Sequence, residues 1–236
     1  MLCIFAHRGA ESSAPENTLA AFKTALNSGA KALELDVQLS KDQIPVVIHD
    51  YKLTRYNKEY NESVNEYTLS ELKDIDIGSF FSTEFKDERI PTLKEVLELT
   101  PQSVMLNIEI KNTPKRHIGI EQKIADLISE YRTIDNVLVS SFDHLALENI
   151  GKINPRLKLG FLIHYPLINA AKYVNSTGLN VVSIHPNKNI VDEKFIEECQ
   201  KYNYKVFPYT VKNDLEYQTL IDLGVDGMFT SKEEYY

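Results

Sequence analysis

The stretch Ala32–His49, ALELDVQLSKDQIPVVIH, decides the fold. Its first eight residues alternate: Leu33, Leu35, Val37 and Leu39 share one face, while Glu34, Asp36 and Gln38 share the other, which is the period of two of a β-strand. Only Ser40–Ile44 separates Leu39 from a second β-type run, Pro45–His49. A parallel crossover takes a dozen residues or more, so the second run must return antiparallel as a hairpin. A hairpin centred on Lys41-Asp42 puts His49 opposite roughly Glu34, with Cβ atoms about 5 Å apart.

Outside this hairpin, β-type runs alternate with amphipathic ones. The remaining strand candidates are Leu2–Ala6, Val104–Ile110, Asn136–Ser140, Leu157–Leu162, Asn180–Ile184, Lys205–Tyr209 and Gly227–Thr230. Helical patterns cover Thr18–Ser28, Leu93–Leu99, Ile118–Tyr131, His144–Gly151, Pro166–Val174, Asp192–Tyr202 and Leu215–Leu223. With the return strand set aside, eight strands remain, and right-handed crossovers close them into an α/β fold, a (β/α)8 TIM-type barrel. The 236 residues fit the roughly 200–250 of one such barrel. The chain therefore reads as a single domain, residues 1–236, with a small cap inserted after the hairpin at about residues 51–89.

Helices cover the outside of a barrel, so the apolar face of each strand turns outward and the polar face turns into the mouth. On Val104–Lys111 that rule sends Asn107, Glu109 and Lys111 inward. Inward carboxylates are costly unless paired or metal-bound, which makes Glu34, Asp36 and Glu109 candidate ligands for one divalent cation, Mg²⁺ or Ca²⁺. His7-Arg8-Gly9 follows the first strand and His49-Asp50 ends the hairpin. Imidazoles titrate at about 6.5 when unperturbed, so one of the two can act as base and the other as acid. Arg8 and Lys111 match the need to neutralise phosphate oxygens. This is an inventory for metal-assisted attack on a phosphate ester, with water or a neighbouring hydroxyl of the substrate as nucleophile. Residue type alone allows either histidine to be the donor.

A formal net charge of −8 with scattered basic residues argues against a nucleic-acid partner. The N-terminus has no basic n-region and no apolar run approaches the ~20 residues of a membrane span, so no stable membrane insertion is expected. Cys3 and Cys199 make no disulfide framework, and the pair reads as reduced in a cytoplasmic protein. His117, His144, His164 and His185 sit in loops or near strand ends and read as surface or rim residues, with His185, before Pro186 at a strand end, the exception to expect. In the 51–89 segment Phe80, Phe81 or Phe85 is expected to wall the substrate pocket, with Phe81 taken as the site residue.

In order along the chain, His7-Arg8-Gly9, Pro15-Glu16-Asn17-Thr18, Glu34-Leu35-Asp36-Val37, His49-Asp50, Ile90-Pro91-Thr92-Leu93, Glu109-Ile110-Lys111, Ser140-Ser141-Phe142 and Gly224-Val225-Asp226-Gly227 resemble the glycerophosphodiester phosphodiesterases. The resemblance implies a TIM-type barrel with an inserted cap that hydrolyses small-molecule glycerophosphodiesters to sn-glycerol 3-phosphate and an alcohol, using a divalent cation. It implies His7 as acid and His49 as base, Glu34, Asp36 and Glu109 as metal ligands, and Arg8 and Lys111 on the phosphate. One departure stands out: the family often carries Trp-Thr-Val late in the barrel where this chain has Tyr209-Thr210-Val211. Tyr209 still offers a flat ring to an apolar part of the substrate. A lysophospholipase D or a cyclising phospholipase on the same barrel differs in whether the pocket admits an acyl chain. A non-catalytic binding barrel would be expected to lack at least one of the five histidine and carboxylate residues.

Overall fold

The computed structural model describes residues 2–236. β1 (Cys3–Ala6), β2 (Ala32–Leu39), β4 (Met105–Ile110), β5 (Val137–Ser141), β6 (Lys158–Ile163), β7 (Val181–Pro186), β8 (Lys205–Val206) and β9 (Gly227–Thr230) form the barrel, in the order β8-β7-β6-β5-β4-β2-β1-β9. All neighbouring pairs along this order are parallel. Between β8 and β9 the sheet closes through Phe229 N donating to Pro208 O at 2.9 Å and Val211 N to Phe229 O at 2.9 Å. β8 is shorter than the Lys205–Tyr209 run expected, because Pro208 has no N–H to give to a ladder.

The helices α1 (Leu19–Asn27), α3 (Leu93–Leu99), α4 (Ile120–Tyr131), α5 (His144–Ile153), α6 (Ala170–Ser176), α7 (Glu193–Lys201) and α8 (Asp214–Asp222) follow the strands. Their starts are written locally: Thr18, Asp143, Asp192 and Asn213 cap free N–H groups, and Thr92 with Glu95 forms a capping box, each worth about 1 kcal/mol. Helices and strands meet in one core to which β2 contributes Leu33, Leu35, Val37 and Leu39, the face assigned outward from the alternation. The barrel interior below the mouth is plugged by Phe5, Ala32, Leu138, Phe207 and Phe229.

β3 (Pro45–Val47) pairs antiparallel with β2, as the short connection requires. The register differs by one residue from expectation: Val37 pairs with Val47 and Leu39 with Pro45, so the ladder extrapolates His49 to Leu35, not Glu34. The hairpin loop is centred on Asp42, with Gln43 at φ 64 and Ser40 N donating to Ile44 O at 3.0 Å. The last ladder bond is Ile48 N donating to Asp36 O at 2.9 Å, and another device holds His49. Gln38 Nε2 donates to the carbonyls of Ile48, His49 and Asp50 at 3.0, 3.2 and 3.0 Å, gathering the end of the run at the mouth.

Residues 51–89 contain α2 (Leu69–Lys73) between two short 3-10 turns. Leu53, Val64, Leu72, Ile75 and Ile77 pack with Val46 and Ile48 of the hairpin in a separate apolar cluster, which seats the segment beside the mouth. Cys3 and Cys199 are free thiols. No helix among the described residues is long and apolar enough to cross a membrane.

Candidate active site

The first strand ends at Ala6, level with Leu33 of β2, so His7 and Arg8 emerge beside Glu34. Gly9 makes the tight exit possible: its φ is +80°, and a Cβ there would lie 2.7 Å from the backbone of Ala21 in α1. Arg8 N donates to Glu34 Oε2 at 2.9 Å. On the other side of β2, Asp36 is level with Glu109 of β4. Pairing of neighbouring parallel strands thus brings the three carboxylates together, with ligand oxygens all within 4.8 Å of one another.

All three are buried, at 3% exposure for Glu34, 1% for Asp36 and 9% for Glu109. Asp36 accepts a hydrogen bond from Asn17 Nδ2 at 2.9 Å and forms ion pairs with Arg8 Nε at 3.2 Å and Lys111 Nζ at 3.6 Å. Burial would raise its carboxyl, but Lys111 and Arg8 outweigh it and hold Asp36 well below the usual carboxylate range. Glu109 Oε1 lies 2.9 Å from Lys111 Nζ yet accepts no well-aligned hydrogen bond. Glu34 carries the excess. Burial, then Asp36 and Glu109, push its carboxyl well above the normal range, and only Arg8 opposes them. Three carboxylates against two cations leave one uncompensated negative charge in a nearly dry site, and that is the arrangement a divalent cation corrects.

Both histidines line one cavity of about 260 Å³, lined also by Arg8, Glu34, Asn107, Glu109, Lys111, Phe142, Leu162, Tyr209, Thr210 and Phe229. His49 Nδ1 lies 2.9 Å from Asp50 Oδ1, and His7 Nδ1 lies 3.0 Å from Glu11 Oε1. A second acidic group, Glu16, His49 and Asp50, also lies within ligating range. Its cation is already present: Arg55 reaches Glu16 at 2.7 Å and Asp50 at 3.1 Å.

Of the residues singled out from sequence, His7, Arg8, Glu34, His49, Glu109, Lys111 and Tyr209 line the cavity and Asp36 lies beneath it. Phe81 does not. It sits 39% exposed in the 51–89 segment, its ring edge-on to Phe85, away from the cavity lining. The wall expected from the inserted segment is built by barrel residues Phe142, Leu162 and Phe229 with Tyr209. His117 and His185 are also not rim residues: both are buried, and burial lowers their pKa values to about 4 and about 3. The sequence pattern shows Asn17 in a motif and Gln38 on the polar face of β2 without a role for either, and it misses Arg55, whose loop contacts have no periodicity. Alternation puts Asn107 on the inward face without giving it a role. Its Nδ2 donates to Ser140 Oγ at 2.9 Å, and its Oδ1 is buried without a partner at the cavity.

The pattern of the glycerophosphoryl diester phosphodiesterase family matches residues 7–233. The chain is 39% identical over 232 residues to a glycerophosphodiester phosphodiesterase of Caldanaerobacter subterraneus subsp. tengcongensis, covering 98% of this chain and 94% of that one. It is 40% identical over 234 residues to the enzyme of that name from Bacillus altitudinis, again covering 98% and 94%. Among solved structures, an Oleispira antarctica phosphodiesterase in complex with the product sn-glycerol-3-phosphate superposes with a TM-score of 0.89 at 28% identity, covering 98% of this chain and 94% of that one. The glycerophosphodiester phosphodiesterase of Thermotoga maritima superposes with a TM-score of 0.79 at 31% identity, covering 100% and 96%. With matching motifs, barrel and nearly full-length coverage, this chain belongs to the glycerophosphoryl diester phosphodiesterase family.

Proposed function

We propose that this protein hydrolyses glycerophosphodiesters to sn-glycerol 3-phosphate and an alcohol, in one barrel unit with residues 51–89 as its cap. The observation that carries the reading is the cluster of three buried carboxylates, two of which line one cavity together with two histidines and two cations. Glu34, Asp36 and Glu109 would hold one divalent cation, Mg²⁺ or Ca²⁺. When bound, it supplies Lewis-acid polarisation of a phosphate oxygen.

The rest of the work falls to the chain itself. Arg8 and Lys111 stand beside the carboxylates, where they can accept the phosphate and screen its charge from them. The nucleophile must lose a proton and the alkoxide must gain one, and His7 and His49 flank the cavity to meet the two demands. Tyr209, with Phe142 and Leu162, offers an apolar wall to the carbon skeleton of the substrate.

A second reading, a lysophospholipase D on the same barrel, is favoured by one observation. The β6–α6 connection carries Tyr165, Leu167 and Ile168 at 76%, 45% and 89% exposure, at the same end as the cavity. An acyl chain would find apolar contacts there. The test for both is product analysis on glycerophosphocholine, glycerophosphoethanolamine and lysophosphatidylcholine, with and without chelator. Release of sn-glycerol 3-phosphate from the first two supports the main reading, release of choline from the third alone supports the second, and no hydrolysis of any rejects both.

A further inference from the structure

Glu11 lies outside the motifs, yet it makes the shorter of the two side-chain hydrogen bonds of His7. Arg8 (φ 54) and Gly9 (φ 80) take left-handed conformations and Glu11 N donates to Gly9 O at 3.0 Å, so the chain doubles back directly after β1. Glu11 Oε1 thereby comes within 3.0 Å of His7 Nδ1, with the two side chains only 18% and 14% exposed. The other ring nitrogen, Nε2, has Thr210 Oγ1 at 3.4 Å, and both residues line the cavity. A carboxylate only accepts hydrogen bonds, so it fixes a proton on Nδ1 and leaves Nε2 as the ring nitrogen that meets the cavity-lining Thr210.

The partner of His49 is not equivalent. Asp50 Oδ2 lies 3.1 Å from Arg55 Nε, so its charge is shared with a guanidinium. Around Glu11 the other ionisable groups are Arg8, Lys212 and the Tyr236 phenol, and neither cation forms an ion pair with it among the described residues. Burial would raise the Glu11 carboxyl, but the hydrogen bond and charge of His7 hold it below its usual value. The charge of Glu11 is thus directed mainly at His7.

We propose that Glu11 is a positioning residue that commits His7, rather than His49, to donating a proton from Nε2 to the departing alcohol oxygen. The proposal rests on the two-histidine reading above. As the phosphorus–oxygen bond breaks, its electron pair stays on the alcohol oxygen and the Nε2 proton moves onto it. His7 is left neutral, still bound to Glu11, and the proton shed by the nucleophile is taken up at His49.

The test compares kcat and KM on glycerophosphocholine with those on the p-nitrophenyl ester of glycerol 3-phosphate, whose leaving group departs as a stable anion. Glu11→Gln is expected to lower kcat on glycerophosphocholine about 10- to 100-fold with KM nearly unchanged, while leaving the p-nitrophenyl ester within about threefold. Near-full activity on the second ester also reports correct folding. In a His7→Ala background, Glu11→Gln should add about twofold or less. Equal loss on both esters, or undiminished loss in the His7→Ala background, would overturn the role of Glu11. If His7→Ala itself loses equally on both esters, His7 is not the donor and the acid assignment falls together with the proposal. If His7→Ala is selective and Glu11→Gln is not, the two-histidine reading stands and Glu11 alone is dismissed.

Discussion

Asp50 ties His49 to the cap: one of its oxygens lies 2.9 Å from His49 Nδ1 and the other 3.1 Å from Arg55 Nε. Arg55 continues to Glu16 at 2.7 Å, and Glu16 to Arg8 at 3.2 Å. His49 and Arg8, which we assign to proton transfer and to the phosphate, are therefore joined through a residue of the insertion. Asp50→Ala should lower kcat about 10²-fold by freeing the ring of His49. Arg55→Ala should act mainly on KM, because Glu16 is then released to compete with substrate phosphate for Arg8. Steady-state kinetics of the two variants decide the point, and a pure KM effect in Asp50→Ala would refute it.

The charge imbalance at Glu34 gives a prediction that does not depend on turnover. Burial and two neighbouring carboxylates raise its folded-state pKa above that of the unfolded chain. An acid raised in this way favours folding while protonated, and its stabilising effect is lost as pH rises above the unfolded value. In metal-free protein at neutral pH, Glu34→Gln should therefore raise the melting temperature. The same variant should show little Mg²⁺ or Ca²⁺ binding by calorimetry, whereas the wild type binds one ion. EDTA should abolish wild-type activity, and either ion should restore it. Wild-type activity in rigorously metal-free buffer, or a lower melting point for Glu34→Gln, would contradict the assignment.

For the histidines, His7→Ala and His49→Ala should each cost about 10²–10⁴ in kcat. The double variant should cost far less than the product, since residues acting on one phosphorus function as a unit. Strict multiplicativity would mean that the two rings act in separate steps, and a His7→Ala enzyme within about threefold of wild type would exclude it from catalysis.

How far the site was legible depends on whether the signal was local. Alternation along Ala32–Leu39 and Met105–Ile110 places Glu34, Asp36 and Glu109 inward, because side-chain direction in a strand is fixed by the residue's own backbone. The short Ser40–Ile44 connection likewise identifies β3 as the antiparallel strand. Its register was missed by one residue because Gln43 at positive φ recentres the turn, a choice that spacing does not encode. Gln38 shows the same limit: its place on the polar face is visible, but its three carbonyl partners depend on the path of the chain after Val47. The rule that polar faces turn inward also holds only at the mouth. Deeper in the barrel Phe5, Phe207 and Phe229 fill the interior, and Gly160 leaves room for the ring of His185, which a Cβ at that position would meet at 2.4 Å.

That buried ring sets a limit on acid stability. His185 is fully buried among Phe207 and Phe229; Nε2 lies 2.8 Å from Ser183 Oγ, and Nδ1 has no partner. Burial lowers its pKa to about 3, while an unfolded chain would titrate the same group near 6.5. Between these values the unfolded state binds a proton that the folded state refuses, so stability falls as pH drops through this window, by up to about 1.4 kcal/mol per pH unit. His117, lowered to about 4 by burial and by Lys115, adds a second contribution over a narrower range. Urea unfolding of wild type and His185→Gln between about pH 4 and 7 separates the effect from any constant cost of the substitution. The variant should show a shallower loss of stability toward acid, shallower by close to one proton's worth between about pH 4 and 6. Parallel curves would mean that His185 accepts its proton in the folded barrel, and that the acid sensitivity must arise at His117 or at the carboxylates of the mouth.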